Sequence, residues 1–474
     1  MAVRQNIDLS EIIEKQKLSS FIVRVVFLSW LVTFFDGFDM GAMSFVAPDL
    51  SAALHISRLT LGKVFSAGQT GMVLGGFLFG YLGDLIGRRM SIIVATISFG
   101  ILTLGLAASG NYAALFALRF VQGIAVGGLL PLAWALNIEY VPRRFRSTVV
   151  TLIMLGWTFG SSFAGPMTIW LVPRYGWRSL FVFGGCAAFL VTGLLIFFLP
   201  ESVKFLANTN RRPDLIARYA QRLAPEAAIS AADQFVVSGE GSGSIMRFRV
   251  SLLFRGELRW ITPLIWTAYT VSSVAVFFCS SWGPTILQTI GFSRSTASLA
   301  VSITSLGGAL GGLLLTHFVD KRGAISIMAF PLLAVPTLLA MGLTGIRGNG
   351  FLVLNFFAMM FLIGAHLGLQ SIAGIFYPSA YRANGAGWAA SIGKIGSIVG
   401  PLIGGILLSS RLPVKHVYAL LSICPVLVGV GVLLIGRRQR NMASGNGSRT
   451  GRNDGEQFQV EPVPPFTTGT AVRD

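Results

Sequence analysis

The sequence predicts an all-α membrane protein, with twelve transmembrane helices forming two pseudo-symmetric six-helix bundles and both termini on the cytoplasmic side. Three observations carry this expectation. The 474 residues are 53% hydrophobic and only 12% charged, with a mean hydropathy of +0.70; soluble domains carry about twice that charge fraction. Apolar runs of about 20 residues, long enough to cross a bilayer, recur about twelve times. The two halves also repeat. Trp30, Asp84-x-x-Gly87 and Pro142-x-x-x-Arg146 recur 236 residues later as Trp266, Asp320-x-x-Gly323 and Pro378-x-x-x-Arg382, and Gly165-Pro166 recurs as Gly400-Pro401, slipped by one. Shared spacing at four separate places indicates a parallel duplication, with a substrate site between the halves.

In chain order, residues 1–21 form a cytoplasmic N-terminal segment. It carries Asp8, Glu11, Glu14, Lys15 and Lys17 without an apolar core or cleavage site, so a signal peptide is not expected. The N-terminal bundle, 22–200, holds spans near 22–47, 61–82, 90–109, 112–138, 148–171 and 179–199. A cytoplasmic central loop follows at 201–258, after Pro200, with a flexible run at 239–244 and a short amphipathic helix expected over Pro213–Leu223. The C-terminal bundle, 259–437, holds spans near 260–282, 297–318, 324–345, 350–376, 384–409 and 416–436. The cytoplasmic tail, 438–474, is rich in Gly, Ser, Thr and Pro from about Asn441 and reads as disordered.

Charge orients these spans. With the N-terminus inside, 27 of the 37 Lys and Arg fall in cytoplasmic segments, 8 outside and 2 within helices. Inverting the chain would reverse a threefold bias, so the positive-inside rule selects N-in and C-in. The net charge of +18 is therefore topology, and no nucleic-acid partner is expected. Cys186, Cys279 and Cys424 all lie in apolar segments, which suggests neither a disulfide framework nor a metal cluster, and no cofactor is expected.

The charges inside the spans are the candidate chemistry. Asp36 and Asp39 lie three residues apart on one helix face, within an apolar segment. An ionised acid at mid-bilayer costs about 3 kcal/mol or more, so neither reads as filler. Either they couple protons or ligand to transport, or they lock two helices against a cation. Arg119 sits about 10 Å into the fourth span, level with the two acids, and could hold them ionised or bind a substrate carboxylate. Lys394, mid-membrane in the eleventh span with no acid nearby in sequence, invites an anionic ligand. His366 reads as an interhelical hydrogen-bonding group. Trp30 and Phe38, with Phe34, Phe35, Trp266, Tyr269 and Trp388, could stack on a ring, although aromatics at helical spacing more often serve packing.

The loops supply a family resemblance. Gly80-Tyr81-Leu82-Gly83-Asp84-Leu85-Ile86-Gly87-Arg88-Arg89 resembles the loop 2–3 signature of the major facilitator superfamily. Arg119 with Gly123 and Gly127-Gly128 resembles its fourth-helix motif, Glu139-Tyr140-Val141-Pro142-Arg143-Arg144-Phe145-Arg146 its loop 4–5 signature, and Pro200-Glu201-Ser202 its sixth-helix end. Within that superfamily, Asp36-Gly37-Phe38-Asp39 and the stretch from Tyr377 to Gly385, followed by Gly393-Lys394-Ile395-Gly396, are similar to the aromatic acid:H⁺ symporters. That family usually has Arg where this chain has Lys394, and the second-half loop lacks the double arginine. The resemblance implies the major facilitator fold, gating by Asp84, Arg88, Arg89, Glu139, Arg146, Asp320 and Arg382, and a bacterial inner-membrane location.

Three function classes compete. The first is a proton-coupled importer of an aromatic carboxylate; uptake of an anion against an inside-negative potential needs at least two protons for net inward charge, which suits paired acids. The second is a proton-driven exporter or antiporter of hydrophobic or other organic compounds on the same fold. The third, a membrane enzyme or sensor, is poorly supported: no nucleotide loop or nucleophile–His–acid set is present, and the four histidines are widely spaced. The expected partners are thus an aromatic acid, protons and the lipid bilayer, with the chain a monomer.

Overall fold

The computed structural model describes residues 6–16, 19–209, 212–224, 229–230, 232–237, 249–256, 258–322, 327–344, 346–377, 382–410 and 412–447. The architecture is helical. The first half comprises α1 (Leu9–Lys15), α2 (Ser20–Phe45), α3 (Ala47–Ala53), α4 (Arg58–Ile86), α5 (Arg88–Ala108), α6 (Tyr112–Gly127), α7 (Leu129–Tyr140), α8 (Arg143–Tyr175) and α9 (Arg178–Phe198). The linker holds α10 (Val203–Asn208) and α11 (Pro213–Leu223), the latter over the range its amphipathic pattern predicts. The second half comprises α12 (Leu258–Ile290), α13 (Arg294–Arg322), α14 (Ala329–Leu343), α15 (Asn349–Phe376), α16 (Arg382–Ser409), α17 (Val414–Leu421) and α18 (Ile423–Gly447). The last helix runs past the expected start of the tail, and residues 448–474 lie outside the described residues.

Local chemistry sets these boundaries. Ser57 and Asn111 cap α4 and α6 by accepting from the amides of Thr60 and Ala114. Gly87, at φ +96°, makes the turn between α4 and α5, a conformation that side chains resist. Two spans are broken in the same way. α6 gives way to α7 just before Pro131, and α17 to α18 just before Pro425, where the proline cannot donate to the carbonyl one turn back.

Among the described residues, ten helical stretches are long and apolar enough to cross a membrane, where the sequence suggested twelve. The two that fall short have different reasons. α4 is 29 residues long, but its glycines together with Ser66, Gln69 and Thr70 dilute its hydropathy. α14 has 15 residues and reaches about 22 Å, against a hydrocarbon core of about 30 Å.

The duplication reappears in the packing. α2 packs on α8 and α4 on α6, while their repeats, α12 on α16 and α13 on α15, form the matching pairs. Small residues allow each close approach. A Cβ at Gly37 would overlap the Trp157 carbonyl, and one at Gly160 the Phe34 carbonyl. A Cβ at Gly400 of α16 would lie 2.6 Å from the Val274 carbonyl oxygen of α12.

Hydrogen bonds that join the halves cluster at the end remote from the chain termini, called distal below. Ser44 donates to the carbonyls of Ser280 (2.7 Å) and Ser281 (3.0 Å), Ser162 to that of Ser302 (3.0 Å), and Arg58 to that of Leu408 (3.0 Å). Arg294 pairs with Asp49 at 2.5 Å, and Phe65 meets Trp282 edge-on. At the proximal end, strand β1 (Asn6–Asp8) pairs in parallel with β2 (Gln234–Val236), joining the N-terminal segment to the central loop. Leu9, Ile13, Ile216 and Leu223 bury there against the first half, and Gln16 donates to the Tyr140 carbonyl at 2.6 Å.

Candidate functional site

The apolar α2 positions both acids inward: Asp36 is 2% exposed and Asp39 3%. Asp39 meets the sequence-predicted cation across the bundle. Arg119 Nη1 lies 2.5 Å from Asp39 Oδ2, with Arg119 itself 4% exposed. Gln122, one turn along α6, closes the network. Its Oε1 accepts from Arg119 Nη1 at 2.5 Å, and its Nε2 donates to Asp39 Oδ1 at 2.9 Å and to Thr103 Oγ1 at 2.7 Å. Arg119 Nη2 also approaches the Met40 sulfur at 3.5 Å. Gly68 leaves room for the guanidinium, since a Cβ there would lie 2.9 Å from Nε.

Asp36 stands apart. Its Oδ1 is buried without a hydrogen-bond partner among the described residues. An unpaired buried polar oxygen costs about 1–3 kcal/mol, so Asp36 holds an unmet demand for a proton or a donor. The cavity bordered by Asp39, Arg119 and Gln122 is about 10 Å³, room for about one water.

Lys394 lies elsewhere. On α16 it is exposed, and its Nζ sits close to Gly76 of α4, with no ion-pair partner among the described residues. Gly76 lies two turns beyond Gly68, so the two cations are about 12 Å apart along α4. The structure therefore does not bring Arg119 and Lys394 to one cavity in this state. His366 Nδ1 lies 3.1 Å from Ser272 Oγ, an interhelical contact between α15 and α12.

The aromatic candidates divide. Trp30 is half-buried; it stacks on Phe27 and meets Phe34 and Phe159 in tilted contacts along α2 and α8. Phe38, at 1% exposure, packs on Phe163 and Phe183 in the core between α2, α8 and α9. In the second half, Trp266 stacks on Trp388 with ring centroids 6.1 Å apart.

The first-half loop residues around Arg88 assemble into one network. Arg88 pairs with Asp84 at 2.7 Å and with Glu139 at 3.3 Å. Ser202 donates to Glu139, and Tyr140 donates its hydroxyl to the Glu201 carbonyl. Glu201 Oε1 accepts from the Arg89 amide at 3.0 Å, capping α5, while Arg89 Nη2 donates to the Ile196 carbonyl. Arg146 and its repeat Arg382 make the same contact, each donating Nε at 3.2 Å to a carbonyl five residues earlier (Val141 and Tyr377). Asp320 falls at the end of α13, and its side chain lies outside the described residues.

These pairs are unequal. Asp84 is 73% exposed, so its pair with Arg88 contributes little, whereas Glu139 is 14% exposed. Glu139→Gln should lower stability by about 1–3 kcal/mol. Asp84→Asn should leave it unchanged yet slow turnover. Thermal unfolding and initial transport rates of both variants check this; equal unfolding shifts would refute the ranking.

Sequence reasoning missed Gln122 and Thr103, which carry no charge, although Gln122 lies one turn from Arg119. It also missed the Asp49–Arg294 pair, whose members are 245 residues apart.

Comparison with known proteins places the chain. A sequence model of the Major Facilitator Superfamily matches residues 29–375 and 265–467. The 4-hydroxybenzoate transporter PcaK of Pseudomonas putida is 33% identical over 436 residues, 92% of this chain and 97% of that protein. The gallate transporter of Pseudomonas putida is 30% identical, covering 91% of this chain and 95% of that one. Among solved structures, the xylose transporter XylE from E. coli, in a partially occluded inward open conformation, superposes with a TM-score of 0.67 at 17% identity. It covers 87% of this chain and 97% of that one, a likeness of fold. With both halves, the signature loops and the matched length in agreement, the chain belongs to the major facilitator superfamily, whose members are transporters and not enzymes.

Proposed function

We propose that this protein is a proton-coupled symporter that imports an aromatic carboxylate by alternating access. On this reading it spans the bacterial inner membrane twelve times, α4 and α14 included, with both termini cytoplasmic. The observation that supports it best is the buried Asp39–Arg119 pair with an unpartnered Asp36 one turn away. Protonating Asp39 would leave a buried guanidinium uncompensated, which costs several kcal/mol. An incoming carboxylate would relieve that cost, so proton and anion would favour each other's binding. Relatives named for 4-hydroxybenzoate and gallate supply the substrate class. With the termini cytoplasmic, the distal contacts would belong to a state closed to the outside. On opening of that end, Arg119 and Lys394 would meet the anion successively, Trp30 would offer a ring contact, and the proximal network around Arg88 would bias the two states.

Competition for uptake tests this. A carboxylate should gain about 1.5–3 kcal/mol from a charge-assisted bond, so benzoate should compete roughly tenfold to a hundredfold better than benzamide. Lys394→Met should weaken benzoate and spare benzamide. Equal competition by acid and amide would instead support an exporter of neutral compounds.

A further inference from the structure

A second cavity lies wholly within the C-terminal half, near its distal end. It measures about 30 Å³, room for about two waters, and is bordered by Ser280, Thr304, Ser305, Asn355, Met359 and Tyr418 among others. None of its lining side chains is a carboxylate, lysine or arginine. Asn355, on α15, is only 4% exposed, and its carboxamide has no hydrogen-bond partner among the described residues. Thr304 and Ser305 each donate to the Val301 carbonyl, which leaves their oxygens as acceptors facing the same space. A buried amide with two donors and an acceptor, left unsatisfied beside two hydroxyl acceptors, demands a small neutral partner able both to give and to take a hydrogen bond.

The position relates this cavity to transport. Asn355 is six residues in from the distal start of α15, and Arg119 seven residues in from that of α6, so both lie about 9–10 Å deep, in opposite halves. The wall residue Ser280 accepts the Ser44 hydroxyl across the boundary between halves, so the cavity adjoins the surface that parts when the distal end opens.

We infer that this cavity is a subsite for a ring hydroxyl, read by Asn355, and that it sets a preference for hydroxylated over bare aromatic ligands. The inference rests on the reading above only in taking the ligand to be aromatic. A carboxylate finds no cation here, whereas a phenolic hydroxyl can donate to an acceptor oxygen and accept from the Asn355 amide. A site built around such a group discriminates against the analogue that lacks it, because its own polar atoms are then left unpaired.

The test uses the purified full-length chain and four probes: 4-hydroxybenzoate, benzoate, 4-hydroxybenzamide and benzamide, with dissociation constants from calorimetric titration. The hydroxylated member of each pair should bind roughly tenfold more tightly, as one net hydrogen bond allows. Asn355→Leu should bring that ratio to about one and leave benzoate and benzamide within about twofold. Thr304→Val, nearly isosteric, should reduce the ratio in part and serves should Asn355→Leu fail to fold. The acid-to-amide contrast reads the carboxylate proposal separately: its loss with the hydroxyl contrast intact refutes that proposal and sustains this one. A parent protein that binds no probe or ignores the hydroxyl overturns the inference, as does an Asn355→Leu or Thr304→Val variant that keeps the full ratio or weakens all four probes equally.

Discussion

Asp39→Asn is expected to abolish proton-driven accumulation while leaving exchange of substrate across the membrane measurable. In proteoliposomes with an imposed pH gradient, internal substrate should not exceed the external level, whereas counterflow should persist. The reason is the geometry around Arg119. Asp39 accepts from both Nη1 of Arg119 and Nε2 of Gln122, so it is the one carboxylate whose charge decides whether the guanidinium is satisfied. The amide keeps the shape but fixes the uncharged state, and the site then offers its cation to an anion at every stage of the cycle. Asp36→Asn should also prevent accumulation, but without disturbing Arg119, because Asp36 Oδ1 makes no hydrogen bond among the described residues.

Stability separates the two variants. Removing one member of a buried ion pair strands the other, at a cost of about 3–5 kcal/mol. Asp39→Asn should therefore lower the unfolding temperature, and Asp36→Asn should hold or raise it. A second change, Arg119→Gln, should restore much of the stability lost by Asp39→Asn and restore no transport. Accumulation by Asp39→Asn that still collapses with an uncoupler would remove Asp39 from the coupling role.

What the sequence made legible follows from the range of the interactions involved. Span positions follow from local hydropathy, and the duplication from spacing; which helices pair, α2 with α8 and α12 with α16, is seen only in the structure. Depth put Arg119 level with both acids, because charges inside a bilayer are few and must be level to meet; that it meets Asp39 and not Asp36 is seen only in the structure. The hydroxyl and amide partners were not. Gln122, Thr103 and Asn355 are ordinary in composition and acquire meaning only from what surrounds them. Arg119 and Lys394 looked alike as intramembrane cations, yet one is sealed by Asp39 and the other has no ion-pair partner among the described residues. Ala329–Leu343 and Arg58–Ile86 mark two different limits of hydropathy as a guide: the first is apolar but short, the second long but diluted by glycine and polar residues.

Gly37→Ala, a single added methyl, should disrupt the N-terminal half more than any other conservative change in α2. A Cβ at Gly37 would overlap the carbonyl oxygen of Trp157, and one at Gly160 the carbonyl of Phe34, so the two helices meet backbone to backbone at both positions. Overpacking against side chains typically costs about 1–3 kcal/mol because they can rotate away. A carbonyl inside a helix cannot, so the cost here should reach at least about 3 kcal/mol. The only relief is to push α2 off α8, and that shift moves Asp39 relative to Arg119, whose 2.5 Å contact has little room to spare. Both Gly37→Ala and Gly160→Ala should therefore lose stability and accumulation together. Gly193→Ala, on α9 in the same half with nothing within 4 Å of the new methyl, should lose neither. Unfolding temperatures in detergent and uptake rates for the three variants decide the matter. If Gly37→Ala unfolds with the parent and transports at its rate, the α2–α8 contact is looser than the structure has it, and the fixed placement of Asp39 against Arg119 falls with it.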